Sequence, residues 1–348
     1  MSGAVLVARL DNCGDVLLAG PAVRAAAASG RPVHLLCGPR GRAAAELLPG
    51  VAGIVEMRAP WIEPGPMPVD ERDAADLVAQ VRALGISDAA VLVSSHQSPL
   101  PLALLLRWAG VDRIAAVSHE HAGALLDARI AGDPDVHEVT RSLLVTEALG
   151  FPSPADDRLH AEVGTDGVDP EVSVLVHGGG PFVVVHPGSS AEARTLGPAR
   201  WREVVAALAA GPRPVVVTGG PGEAGLTARV AAAHPDVIDV GGRLTLRQLG
   251  GVLAAADALV TGNTGPMHLA AAVGTPVVAA FPPTVPLDRW HPWRVPHVAL
   301  GDQAVPCAGC RSVRCPLDDQ PCLRAVDGEA VVAALAVLVP APDAEPAA

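Results

Sequence analysis

Short continuous apolar runs separated by Ala-rich or amphipathic stretches fill the chain from end to end. Apolar runs of about four to eight residues, bounded by turn residues, mark strands buried on both faces. Such runs fall at 4–8 (AVLVA), 32–36, 51–56, 89–93 and 111–117. Helical segments lie between or after them at 16–28, 42–48, 71–84, 100–109 and 137–149. The alternation restarts with strands at 181–185, 215–217 and 237–240 and helices near 201–208 and 246–255. It is clearest at 257–281, DALVTGNTGPMHLAAAVGTPVVAAF, where an apolar run, a Gly-rich polar turn, a helical run and a second apolar run follow in order. Strand, turn, helix, strand is a crossover unit, and it implies parallel strands in a covered sheet.

From about 152 to 180 the periodicity fades and Pro, Asp and Gly accumulate, ending in His177-Gly178-Gly179-Gly180. This stretch reads as a flexible linker, with the domain boundary near 160–178. The division expected is 1–165, 166–340 and a disordered tail, 341–348.

With 348 residues the chain has room for two domains of ordinary size. Half of it is hydrophobic, largely Ala and Val, with no Tyr and three Phe. A core of such small side chains suits close helix-on-sheet packing. The net charge of −12 argues against a general nucleic-acid binder, which needs a basic face. Charges or prolines break every apolar run well short of the roughly 18 residues a membrane span needs. The first residues, MSGAVLVARLDNCGDV, enter a strand at once and lack the pattern of a signal peptide. The expectation is a soluble, cytoplasmic protein with at most peripheral membrane association, whose six Cys are thiols or ligands more than disulfides.

Polar turns at strand carboxyl ends are where open α/β sheets bind ligands. The first, Arg9 to Asp15, holds one Gly and does not meet the dinucleotide fingerprint GxGxxG. Its Asp15 opens a helix and either caps it or faces what lies above the sheet edge. The second half offers His186-Pro187-Gly188-Ser189-Ser190, Thr218 to Glu223 and Gly262 to Pro266. Backbone N–H groups at such helix starts suit a phosphate.

The arginine-bearing RLDNCGD near the start, together with HPGSS and TGNTGPMHLAAAVGTP, resembles the heptosyltransferase-like glycosyltransferases of family 9. That family includes the ADP-heptose transferases of lipopolysaccharide core assembly. The resemblance runs over almost the whole chain and implies an α/β GT-B fold: two facing Rossmann-like domains with parallel sheets. The first would hold the acceptor and the second the nucleotide-sugar donor. It implies inverting, metal-independent transfer of a sugar, a heptose from ADP-heptose, to a hydroxyl of a glycan, lipid-linked or small-molecule acceptor. Asp15 stands where the family has its general base, with Asp11 as the rival carboxylate. Ser189, Ser190, Arg194, Thr264, Gly265 and His268 are implied at the donor diphosphate, and Glu223 at the ribose. Asn12, Gly14, His96 and Gln97 are the candidate acceptor contacts. Asn263 departs from the Asp common in the family and bears on the donor's sugar. Thr195-Leu196-Gly197-Pro198 replaces the family's aromatic-rich segment.

Cys307, Cys310, Cys315 and Cys322 are dense enough for a tetrahedral zinc site, but tighter than the usual two-knuckle spacing. Free or redox-active thiols are favoured over a structural zinc, and catalysis is expected to need no cofactor. Two alternatives share the architecture: a GT-B nucleotide-sugar epimerase, and a catalytically silent binding or scaffold protein.

Overall fold

The computed structural model describes residues 3–63, 65, 67–131 and 135–339. The expected tail, 341–348, lies outside them. The chain divides into two compact units between Glu162 and Val163.

The first unit opens with β1 (Ala4–Arg9), two short helices, α1 (Cys13–Leu18) and α2 (Gly20–Ala27), and β2 (Val33–Cys37). Next come α3 (Arg42–Ala45), β3 (Gly53–Glu56), α4 (Glu71–Ala83) and β4 (Ile86–Val91). It ends with α5 (Leu100–Ala109), β5 (Arg113–Ser118), β6 (Ala128–Ala131) and α6 (Glu138–Ala148). The strands form one sheet in the order β3-β2-β1-β4-β5-β6, and every neighbouring pair is parallel.

The second unit runs α7 (Pro170–Gly178), β7 (Val183–His186), α8 (Pro198–Ala209), β8 (Val215–Val217), α9 (Ala224–Ala231) and β9 (Ile238–Asp239). It continues through α10 (Leu246–Ala255), β10 (Ala258–Gly262), α11 (Gly265–Val273), β11 (Val277–Ala280), α12 (Leu287–Trp290), β12 (His297–Leu300) and α13 (Gly328–Leu338). Its sheet, β12-β11-β10-β7-β8-β9, is again parallel throughout. Numbered within its own unit, each sheet has the order 3-2-1-4-5-6. Chain order therefore reverses between β1 and β4 in the first unit and between β7 and β10 in the second. These are the switch points at which loops from adjacent strands splay apart and leave a crevice.

The central strands are Val- and Ala-rich because both their faces are covered; β7, β8, β10 and β11 are buried along their whole length. The first core gathers Leu6, Leu36, Leu77, Leu106 and Ile114. The second is built around Val185, Val217, Val260, Leu335 and the fully buried Trp201.

Two expectations change. The helix read at 16–28 is two helices, broken at Ala19 just ahead of Pro21, which cannot donate a backbone hydrogen bond within a helix. The stretch read as a linker contains α7, whose Asp169 side chain accepts the backbone N–H of Glu171 ahead of a proline at the first helical position.

Candidate active site

At the first unit's switch point, β1 delivers Arg9 as its last residue. The guanidinium is 2% exposed and lies among Asp11, Asp15, Ser94 and Glu138. Nη2 donates to Asp15 Oδ1 and to Ser94 Oγ, both at 2.9 Å. Nε lies 2.9 Å from Asp11 Oδ2, and Nη1 lies 3.4 Å from Glu138 Oε2 on α6. Glu138 also lies 3.9 Å from Arg141, one helical turn on. The second oxygen of Asp15 accepts the backbone N–H of Asn12 at 3.3 Å. Asp15 therefore caps α1 and pairs with a buried cation at once, so capping does not exclude a chemical role.

Three carboxylates around two arginines leave an excess of negative charge in a poorly solvated place. Burial pushes the carboxyl of Asp11 up from its usual range, against the pull of Arg9, and the charge of Asp15 adds to the rise. Burial raises Glu138 likewise, opposed by Arg9 and Arg141. Arg9 itself is held more firmly protonated: burial works against its charge, and its three carboxylate neighbours outweigh burial.

The candidate acceptor residues fall around this cluster. Gln97, after β4, donates to Asp11 Oδ1 at 2.5 Å and accepts the N–H of Ser94 at 3.0 Å. His96 is exposed and close enough to Asp11 to favour that group's ionised form. Asn12 is exposed and Gly14 is buried at the start of α1. Sequence reasoning missed Arg9, Ser94 and Glu138. A charged residue closing an otherwise apolar strand was the available sign for Arg9. Glu138 stands 129 residues along the chain from Arg9 and carried none.

In the second unit, the ends of β7 and β10 and the turns after them are joined by hydrogen bonds. The Thr261 hydroxyl donates to the His186 carbonyl at 2.8 Å and lies 3.3 Å from the Thr264 hydroxyl. The backbone N–H of Asn263 donates to the Arg194 carbonyl at 2.9 Å. A Cβ at Gly262 would sit 2.5 Å from that carbonyl, so only glycine permits the approach. Thr195, also missed, is buried and donates to the Pro187 carbonyl at 2.9 Å while accepting the indole N–H of Trp201 at 3.0 Å. The core tryptophan of α8 thereby anchors the HPG turn.

Gly265 begins α11, with Thr264 as its N-cap residue and Pro266 next. Asn263 and His268 are both buried, and the Asn263 side-chain nitrogen has no hydrogen-bond partner among the described residues. Ser189 spends its hydroxyl on its own turn, donating to the Ala191 carbonyl at 3.0 Å and accepting that residue's N–H at 3.2 Å. Ser190 is exposed and Arg194 half-buried. Glu223 lies over Gly188: its Oε2 accepts the Gly220 N–H at 2.7 Å, and a Cβ at Gly188 would come within 2.2 Å of its carboxyl group.

The model for glycosyltransferase family 9 (heptosyltransferase) matches residues 87–320, about two thirds of the chain. This chain belongs to glycosyltransferase family 9. Lipopolysaccharide heptosyltransferase 1 of Pseudomonas aeruginosa is 30% identical over 231 residues, which is 64% of this chain and 62% of that protein. The sequence match thus spans less than two thirds of that relative's length. A family 9 glycosyl transferase from Veillonella parvula superposes with a TM-score of 0.76 at 16% identity, over 97% of this chain and 98% of that one. The E. coli ADP-heptose LPS heptosyltransferase II gives 0.73 at 19%, over 96% and 98%. These likenesses fix the fold of this family 9 member as the GT-B type, built on two six-stranded parallel sheets.

All four clustered cysteines are free; Cys307 and Cys310 are exposed, Cys315 and Cys322 half-buried. Burial raises the Cys322 thiol, and the three neighbouring thiols add to the rise. Among the described residues no three His, Cys, Asp or Glu side chains converge as a metal-holding set. Among the described residues no helix is long and apolar enough to cross a membrane.

Proposed function

We propose that this chain transfers a heptose from ADP-heptose to a hydroxyl of a saccharide acceptor, with inversion and without a metal. The observation that carries the reading is the Asp15 carboxylate, held by Arg9 at the carboxyl end of β1 within a family 9 fold. In the reaction the acceptor oxygen forms a bond to the anomeric carbon and gives its proton to Asp15. The bond from that carbon to the diphosphate oxygen breaks, and ADP leaves with the electron pair. The charge that develops on the diphosphate needs fixed donors. The reading gives this work to the turn N–H groups at Gly188–Ser190, the N-terminus of α11 at Thr264 and Gly265, and the cation of Arg194. Glu223 takes the ribose hydroxyls, and His268 lies on α11 one turn beyond its N-cap residue Thr264.

The donor assignment is supported by the family and by the ADP-heptose named for the E. coli relative. Asn263 keeps a side-chain carbonyl acceptor for the sugar but gives up the charge of an aspartate. The test is calorimetric titration with ADP and ADP-heptose, beside a transfer assay on deacylated lipopolysaccharide core. Asp15→Asn should bind ADP as the parent does and lose transfer by at least about a hundredfold, the scale of general-base catalysis. Failure of the parent protein to bind ADP at millimolar concentration would remove the donor reading. Full transfer by Asp15→Asn would remove the base.

A further inference from the structure

β7 ends on His186, a histidine the function above does not use. Its side chain is 8% exposed and lies between two polar groups. Nδ1 is 3.0 Å from the Thr218 hydroxyl, and Nε2 is 3.6 Å from Glu223 Oε2. Its backbone is fixed as well, because its carbonyl accepts the Thr261 hydroxyl at 2.8 Å. Burial lowers the pKa of the ring to about 4, against the opposing pull of Glu223, so the imidazole is neutral near pH 7.

A neutral imidazole carries a single N–H. The Thr218 hydroxyl can give its proton to Nδ1 at 3.0 Å, the shorter of its two contacts beside the Val185 carbonyl at 3.5 Å, or accept, whereas the carboxylate of Glu223 only accepts. One tautomer suits both neighbours: Thr218 donates to Nδ1, and Nε2–H faces Glu223 Oε2 across 3.6 Å, a polar contact longer than a hydrogen bond that a small shift of the carboxylate would close. The opposite tautomer would turn a ring lone pair toward a carboxylate. Glu223 is otherwise held through the Gly220 N–H at 2.7 Å, and that bond falls on the same Oε2. Among the described residues no protein donor lies on Oε1, and the carboxyl group is pressed over Gly188, where no side chain fits.

We propose that His186 is the positioning residue for Glu223, holding Oε2 so that Oε1 is presented to the vicinal ribose hydroxyls of a nucleoside diphosphate. Thr218 sets the tautomer that makes this possible. A lone carboxylate on a flexible stem samples several rotamers; a second N–H facing Oε2 narrows that freedom before the ligand arrives. The proposal rests on the reading of Glu223 and the HPG turn as part of the donor cradle.

The experiment is calorimetric titration of the full chain with ADP and with 2′-deoxy-ADP, which needs no acceptor. The quantity read is the ratio of the two dissociation constants. Hydrogen bonds to a charged group lead us to expect a ratio of about tenfold or more in the parent protein. Glu223→Ala should bring it close to one. His186→Asn keeps an amide near Nδ1 for Thr218 but has no donor at the Nε2 position, and the ratio should fall to about twofold or less. His186→Gln places an amide N–H near the Nε2 position and should recover most of it. Should His186→Asn not fold, Thr218→Val frees the tautomer without touching the ring, and the same fall is expected. A parent-like ratio in His186→Asn or Thr218→Val, with the ratio lost in Glu223→Ala, overturns the role of His186 alone. A ratio that survives Glu223→Ala overturns the ribose reading itself. A uniform loss of affinity for both nucleotides marks His186 as merely structural and overturns the proposal.

Discussion

Replacing Arg9 by Met tests how the first unit tolerates its carboxylates. The substitution keeps most of the aliphatic stem and removes the guanidinium from among Asp11, Asp15 and Glu138. Removing one partner of a buried ion pair costs about 3–5 kcal/mol, because a charge is left without compensation. Two features bring the expected cost to the lower end. Asp11 and Asp15 keep 11% and 15% of their side-chain surface, so water can reach them, and Glu138 retains Arg141. A loss of about 3 kcal/mol in a unit of this size lowers the midpoint of its thermal transition by roughly 6–12 °C. The pH dependence has a definite sign. Asp11 and Glu138 already sit above their usual range in the folded protein, and loss of Arg9 moves them further up. A carboxyl group whose pKa is higher folded than unfolded gives its stability below the unfolded value and loses it as pH rises through the folded one. The deficit of Arg9→Met should therefore be largest near pH 8 and shrink toward pH 5. Scanning calorimetry across that range, with the first unit's transition identified by hydrogen exchange, reads both quantities. A variant as stable as the parent at pH 8, or a deficit that does not change with pH, would refute the account of the cluster.

Two further outcomes follow from single contacts. Gly188→Ala drives a methyl group into the Glu223 carboxylate, which must swing away and release the Gly220 N–H; ADP affinity should fall about tenfold in a titration, while Gly188→Ala in a Glu223→Ala background should add little. With a chromogenic disulfide reagent at pH 8, the exposed Cys307 and Cys310 should react first, while Cys37, fully buried with its thiol pushed up by burial to about 11, should react only on unfolding.

The architecture was legible because strands buried on both faces leave uninterrupted apolar runs. The strand, turn and helix at 258–273 and the helix at 100–109 fall where the pattern predicts them. Weak elements were lost for a physical reason: β6 (ARIA) and β12 (HVAL) are half-exposed edge strands, and their mixed composition gives no continuous run. The helix α7 was hidden by the Pro and Asp that in fact start it. At the sites, residues in polar turns could be named from sequence because turns concentrate at strand ends. The partners that hold them could not. Arg9 meets Ser94 and Glu138 across 85 and 129 residues of chain, and His186 meets Thr218 across 32. Such pairings are decided by sheet order, which local pattern does not encode. Thr195 shows the same limit: it looked like the loss of an aromatic contact, whereas its hydroxyl links the core indole to the HPG turn.

The repeated strand order has an evolutionary reading. In each unit the first strand closes on a buried polar residue, Arg9 or His186, and each of these faces a carboxylate carried by a later turn or helix, Asp15 or Glu223. The apolar body of the strand and the polar residue at its end answer to different pressures. Ligand preference can drift by exchange of a terminal residue and its carboxylate, while the hydrophobic lettering of the sheet stays untouched. Two halves cast from one plan can in this way diverge into chemically unlike jobs without either having to invent a new scaffold.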